Sequence, residues 1–238
     1  MEKAQRKKEA RIQRQLAQEK KRRNMRIMVW SLSGLFVLLI AALIVFWPKP
    51  APLSFEYDKS PLLGNADAKV KIMEFGDFKC PTCAYFSQNI MSKIKTEYID
   101  TGKASLSFQN WTIIGPDSTT AALAGLAIYH QNNDAFWKFY DALYTNQPPE
   151  SESWATVDYL VDTAKKQNLG IDYDLLRKDI ENKTYADELA AQNNFAVAHN
   201  FTGTPSVLVN GKKLDDNTAL NYDNLKAAID KALKEADK

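Results

Sequence analysis

The chain has 238 residues, 25% charged and 45% hydrophobic, with 9 Gly and 9 Pro, a mix that excludes a wholly disordered, collagen-like or low-complexity protein. Two Cys exclude a disulfide-stapled scaffold and a four-thiolate zinc site, so any thiol chemistry involves one pair at most. The formal net charge of +2 conceals a split: residues 1–26 hold 11 Lys/Arg against 3 Glu, a net +8, and the remainder holds 20 against 26, a net −6.

Between the basic head and the acidic body, residues 27–47 form a run of 21 without a charge. As a helix this run would extend about 31 Å and cross a typical hydrocarbon core. Trp30, Phe46 and Trp47 stand where interfacial aromatics belong, and Pro48 would close the helix. A cleaved signal peptide would need an apolar region of about 7 to 15 residues and then a small-residue cleavage site. The run offers neither, and no Cys follows it to carry a lipid. We therefore expect a signal anchor in the lipid bilayer of a cell membrane, single-pass, with the N-terminus cytoplasmic and residues 48–238 extracytoplasmic. That topology already accounts for the basic head, which has no interleaved aromatics, so no nucleic-acid partner is expected.

The four Pro within residues 48–65 suggest an extracytoplasmic linker that lifts the body from the bilayer. Residues 69–75 then read as a strand and 84–99 as a helix, with Cys83, Phe86, Ile90, Ile94 and Tyr98 on its apolar side. Residues 104–111 make a second strand, with Leu106, Phe108 and Asn110 on one face, which completes a β-α-β unit. Between about 117 and 200 strand signals vanish, and helices are expected over 118–131, 135–145, 154–167, 173–182 and 185–199. A strand returns at 206–209, Asn210-Gly211 supplies a tight turn to 212–214, and a last helix over 222–236 buries Leu225, Ile229 and either Ala232 or Leu233.

The chemistry concentrates at Cys80-Pro81-Thr82-Cys83, where strand gives way to helix. Free backbone N–H groups and the dipole at a helix start stabilise a thiolate on Cys80, and Pro81 suits the first helical position because its missing donor is not needed there. Cys83, one turn along, points inward and can attack only Cys80, so the pair is expected to be an exposed nucleophile with a buried resolving thiol. Other readings of such a pair are half a zinc site, a copper-binding dithiol module, or a static disulfide. His130 and His199 are too distant in sequence to complete a local zinc motif. Glu74 falls in the middle of a buried-strand pattern, where an acid is costly unless it has a use such as exchanging a proton with the inner thiol; the alternative is an edge strand with Glu74 facing water. Thr204-Pro205 opens the late strand, where a Pro fits if its peptide bond is cis and its missing N–H faces a site; the alternative is an ordinary turn.

Residues 63–70 (LGNADAKV) with 73–83 (MEFGDFKCPTC), then 135–144 (AFWKFYDALY) and 203–211 (GTPSVLVNG), together resemble DsbA-like thiol-disulfide oxidoreductases, in particular the membrane-anchored BdbD-like branch. The resemblance covers roughly residues 62–236. It implies an α/β chain: a thioredoxin fold over 66–238 with an inserted all-helical domain at about 117–200, preceded by one transmembrane helix. It also implies Cys80 as attacking sulfur, Cys83 as resolving sulfur, Glu74 as buried acid, Pro205 as the cis proline, and Thr204 as a contact for substrate backbone. The implied activity is donation of the Cys80–Cys83 disulfide to secreted or membrane proteins, with a quinone-linked membrane reoxidase as partner; no cofactor is expected, and no metal ligand among the site residues. A reductase or isomerase of the same fold is the alternative enzyme.

Overall fold

The computed structural model describes residues 2–46 and 51–237 and divides the chain into two units, Met1–Pro50 and Ala51–Lys238. The first unit is one helix, α1 (Glu2–Phe46). Within it, the stretch Gln13–Ile40 contains an 18-residue window, of mean hydropathy 1.3, that is long and apolar enough to cross a membrane. The charge-free part begins at Ile27, and Trp30 is exposed. Trp47 and Pro48, expected to end the span, lie outside the described residues.

In the second unit β1 (Leu62–Gly64), β2 (Val70–Gly76), β3 (Ala104–Asn110), β4 (Ser206–Val209) and β5 (Lys212–Lys213) form one sheet in the order β1-β3-β2-β4-β5. β2 and β3 are parallel, joined by a helical run over residues 81–99, and every other neighbouring pair is antiparallel. That run comprises α2 (Pro81–Tyr85), α3 (Ser92–Ile94) and two wider π turns, Phe86–Met91 and Lys95–Ile99. Its apolar side is as the spacing predicts, with Cys83, Phe86, Ile90, Ile94 and Tyr98 all buried.

Five helices separate β3 from β4: α4 (Ser118–Gln131), α5 (Asn133–Thr145), α6 (Val157–Lys166), α7 (Tyr173–Glu181) and α8 (Ala186–Ala198). Helix α6 starts three residues later than expected because the Thr156 side chain accepts from the Tyr159 N–H and caps it there. The chain closes with a short α9 (Asp216–Ala219), which the sequence did not suggest, and α10 (Tyr222–Ala236), which buries Leu225, Ile229 and Ala232.

Alternation along β2 divides the core. Val70 and Ile72 join the main cluster with the 81–99 run, α4 and α5, while Met73 and Phe75 meet Trp111, Phe201 and Leu208 in a second cluster. Leu53, Phe55 and Tyr57 pack on that second cluster, and the Leu53 N–H donates to the Gly211 carbonyl at 2.8 Å. A Cβ at Gly211 would lie 2.1 Å from the Leu53 carbonyl oxygen, so the hairpin turn needs a glycine for this close approach as well as for its φ of +75°. The segment expected to be a spacer is therefore docked on the body from about Leu53, and its last residues, Leu62–Gly64, pair with β3. Apolar side chains at 53, 55 and 57 outweigh the proline content that suggested a free linker.

Candidate functional site

β2 ends at Gly76, and residues 77–79 turn the chain into the helix that begins at Pro81. This turn is tightly held. The buried Asp77 carboxylate accepts from the backbone N–H groups of Lys79 (2.9 Å), Ile113 (2.8 Å) and Ile114 (3.0 Å), and its carbonyl accepts from the Cys80 N–H at 2.9 Å. From the helical insertion, the Gln147 side-chain amide donates to the carbonyls of Phe78 (2.8 Å) and Cys80 (3.1 Å). Lys79, also buried, pairs with Asp117 at 2.5 Å and donates to the Glu152 carbonyl at 2.9 Å. The site thus rests on the insertion as much as on the sheet.

Cys80 occupies the cap position of the helix and both cysteines are free thiols. The Thr204–Pro205 peptide bond is cis, and the Cys80 thiol donates to the Thr204 carbonyl at 3.3 Å. Cys80 is more enclosed than the expected exposed nucleophile: it is 5% exposed, because the 203–205 loop comes down on its sulfur, while Pro81 and Thr82 are open to solvent. The neighbouring Cys83 thiol, then the Thr204 side chain and the backbone N–H groups of Cys83 and Thr82 at the helix start, outweigh burial and bring the Cys80 thiol down to about 6. Cys83 is fully buried, and burial, its contact with Cys80 and the nearby charges of Cys80 and Glu74 push it well above an ordinary thiol.

Glu74 is fully buried on the central strand, paired with Phe108 of β3 on one side and Val207 of β4 on the other, so the edge-strand alternative does not hold. Burial pushes its carboxyl up to about 8, with a hydrogen bond from Tyr140 pulling the other way and Cys80 adding to the rise. The Tyr140 hydroxyl donates to Glu74 Oε2 at 2.7 Å, while Oε1 has no hydrogen-bond partner. A Cβ at Gly76 would meet Phe108 at 2.6 Å and Glu74 Oε1 at 3.1 Å, so the glycine leaves room for the acid.

Cys80, Cys83, Glu74, Thr204 and Pro205 therefore gather in one place from β2, the helix start and the loop before β4. Neighbouring titratable groups pushed in opposite directions make this arrangement a candidate for proton exchange between the acid and the thiols. His130 is instead paired with Glu188 and stacked on Tyr185, and His199 is stacked on Phe195. Among the described residues no group of three or more His, Cys, Asp and Glu side chains is placed to hold a metal ion.

Sequence reasoning did not single out Tyr140, Asp77 or Gln147. Tyr140 had a usable signal: with Phe136, Leu143 and Tyr144 it lies on the buried face of α5, and a buried tyrosine hydroxyl needs a polar partner. Asp77 and Gln147 act on backbone groups, which leave no pattern in side-chain types.

The thioredoxin family model matches residues 56–231. A probable disulfide bond formation protein D of Bacillus cereus is 41% identical over 180 residues, covering 76% of this chain and 82% of that protein. Disulfide bond formation protein D of Bacillus subtilis is 34% identical over 174 residues, covering 73% and 77%. Among solved structures, oxidised BdbD from Bacillus subtilis superposes with a TM-score of 0.72 at 32% identity, covering 79% of this chain and all of that one. DsbA of Chlamydia trachomatis, at 23% identity, shares the fold with a TM-score of 0.65.

Proposed function

The chain belongs to the thioredoxin family, in its DsbA-like branch of disulfide bond formation proteins, and on that premise we propose how its own residues work and where they work. It is a thiol-disulfide oxidoreductase of oxidative folding and its substrates are protein thiols. In our reading Cys80 and Cys83 carry the disulfide that it donates. A substrate thiolate attacks the Cys80 sulfur, the bond to Cys83 breaks, and the electron pair leaves on Cys83, which takes a proton from Glu74. A second substrate thiolate then attacks the substrate sulfur of the mixed disulfide and Cys80 leaves as a thiolate, so two electrons pass from substrate to protein. Thr204, whose carbonyl already faces the Cys80 sulfur, is the contact for substrate backbone, and Pro205 keeps a competing N–H out of that position.

The observation that carries this reading is the opposite treatment of the two sulfurs, Cys80 held at about 6 and Cys83 buried and held well above an ordinary thiol. One pKa unit below about pH 7 favours the reduced pair by about 1.4 kcal/mol, or roughly 30 mV, which suits a donor of disulfides more than a reductase. A donor needs a reoxidant, and a quinone-linked membrane protein is the partner we propose. Acid trapping of intact cells tests the direction: the pair is expected to be mainly oxidised. A pair found reduced would assign the fold to a reductase or isomerase, and stoichiometric copper binding with little thiol exchange would make it a metal module.

We also place residues 27–47 across the cell membrane as a signal anchor, with residues 1–26 in the cytoplasm and the body, including the docked segment, outside. Its support is the basic head followed by the charge-free stretch of α1. Protease added to cells stripped of their wall should degrade the body and spare an epitope on residues 1–26; a protected body would reverse the assignment.

A further inference from the structure

Glu74 has no visible exchange with water. It is fully buried, and each proton that it passes to Cys83 must be replaced before the next cycle. Its one hydrogen-bond partner is Tyr140, and Tyr140 lines a cleft of about 640 Å³ between the helical run at 87–95 and α5. Ser87, Ser92 and Trp137 line the same cleft, whereas Cys80, Thr204 and Pro205 do not. The indole N–H of Trp137, a lining residue, is buried without a partner, and so is Glu74 Oε1, on the same carboxyl that Tyr140 holds. A cleft of this size admits water up to the residues that line it, Tyr140 among them.

We propose that Tyr140 relays protons between Glu74 and water in this cleft, so that the inner sulfur exchanges protons with solvent through the cleft and not past Cys80. The inference rests on the reading of Glu74 as the proton source for Cys83. When the Cys80–Cys83 bond breaks and the electron pair leaves on Cys83, the Glu74 carboxyl gives Cys83 its proton. The Tyr140 hydroxyl passes its own proton to Glu74 Oε2 as its oxygen takes one from water, for a net uptake of one solvent proton. Reoxidation runs the same path outward. Ser87 lines the same cleft as Tyr140. A phenol suits the task because it donates and accepts at one atom, and burial together with Glu74 keeps it protonated.

The test measures the rate at which the reduced protein is reoxidised by a small disulfide, a step in which Glu74 must release its own proton before it can take the one on Cys83, in water and in deuterium oxide, for Tyr140→Phe and for Ser92→Trp. The second variant plugs the mouth of the cleft from an exposed position and touches neither Glu74 nor Tyr140. Both should slow the reaction by about tenfold or more and change its solvent isotope effect, while alkylation of Cys80 stays as fast as in the wild type. In a Glu74→Gln background neither should slow it further, because the path then has no end. Slowing in both backgrounds, or loss of Cys80 alkylation, would show a structural role and overturn the relay. Wild-type rates in both variants with a slow Glu74→Gln would overturn the relay and keep the role of Glu74. A fast Glu74→Gln would remove that role and the relay with it.

Discussion

In acid-trapped extracts, Cys83→Ala accumulates disulfide-linked complexes that collapse on reduction, whereas Cys80→Ala accumulates almost none. At about pH 7 a thiol near 6 is mostly thiolate, whereas burial and the neighbouring charges hold Cys83 well above an ordinary thiol and keep it protonated, so the two sulfurs differ before access is considered. Access widens the gap, since Cys83 is fully buried behind Cys80. The substitution also removes the hydrogen bond that does most to lower Cys80, so Cys83→Ala should form its mixed disulfides more slowly than the wild type. They accumulate all the same, because the intramolecular attacker that would release them is gone. Non-reducing electrophoresis reads the outcome directly, and equal trapping by the two variants would mean that the nucleophile is misassigned.

Glu74→Gln is expected to slow reduction of the oxidised protein by about a hundredfold while flattening the pH dependence of its stability. The carboxyl is raised from an ordinary 4.5 to about 8, chiefly by burial, so between those values the native state holds a proton that the unfolded chain has released. Stability conferred by the neutral carboxyl is complete below about pH 4.5 and is lost as pH rises towards about 8. At about 1.4 kcal/mol per unit, less near each end of the range, the loss between about pH 5 and about pH 8 is at most roughly 3 to 4 kcal/mol, and the amide, which does not titrate, should abolish it. The comparison belongs on the disulfide form, because in the reduced form the depressed Cys80 thiol adds a slope of opposite sign; there the Cys80 charge no longer adds to the rise of Glu74, and the part due to burial, the largest, remains. The amide leaves a buried N–H₂ unpaired, so its absolute stability can lie on either side of the wild type. The difference in slope, measured by urea unfolding across that range, isolates the carboxyl. Parallel curves would show Glu74 ionised and solvated, and without the proton that the mechanism needs.

Features written in side-chain types were the ones legible in the sequence. The recurrence of Phe86, Ile90, Ile94 and Tyr98 at every fourth residue gave the buried side of the helix after Cys83, and the strand at 206–209 stood out by the apolar Val207, Leu208 and Val209 before an Asn-Gly turn. Glu74 was identified because an acid in an apolar strand contradicts its surroundings, and the structure puts it at the centre of the sheet. What was missed depends on long-range contact. β1 is three residues with no alternation, and it exists because β3 offers it an edge to pair with. The spacer was misread because prolines are visible locally, while the second cluster that receives Phe55 and Tyr57 is assembled from β2, β4 and α8. The enclosure of Cys80 likewise depends on a loop 124 residues away along the chain.

The most direct test of the account is anaerobic, stoichiometric transfer from the purified oxidised protein to a reduced, unfolded polypeptide carrying two cysteines. One disulfide should appear in the polypeptide for each Cys80–Cys83 pair that becomes reduced, by way of a mixed disulfide that acid quenching captures on Cys80. If the pair stays oxidised while the polypeptide stays reduced, or if the captured complex is linked through Cys83, the proposed division of labour between the two sulfurs is wrong.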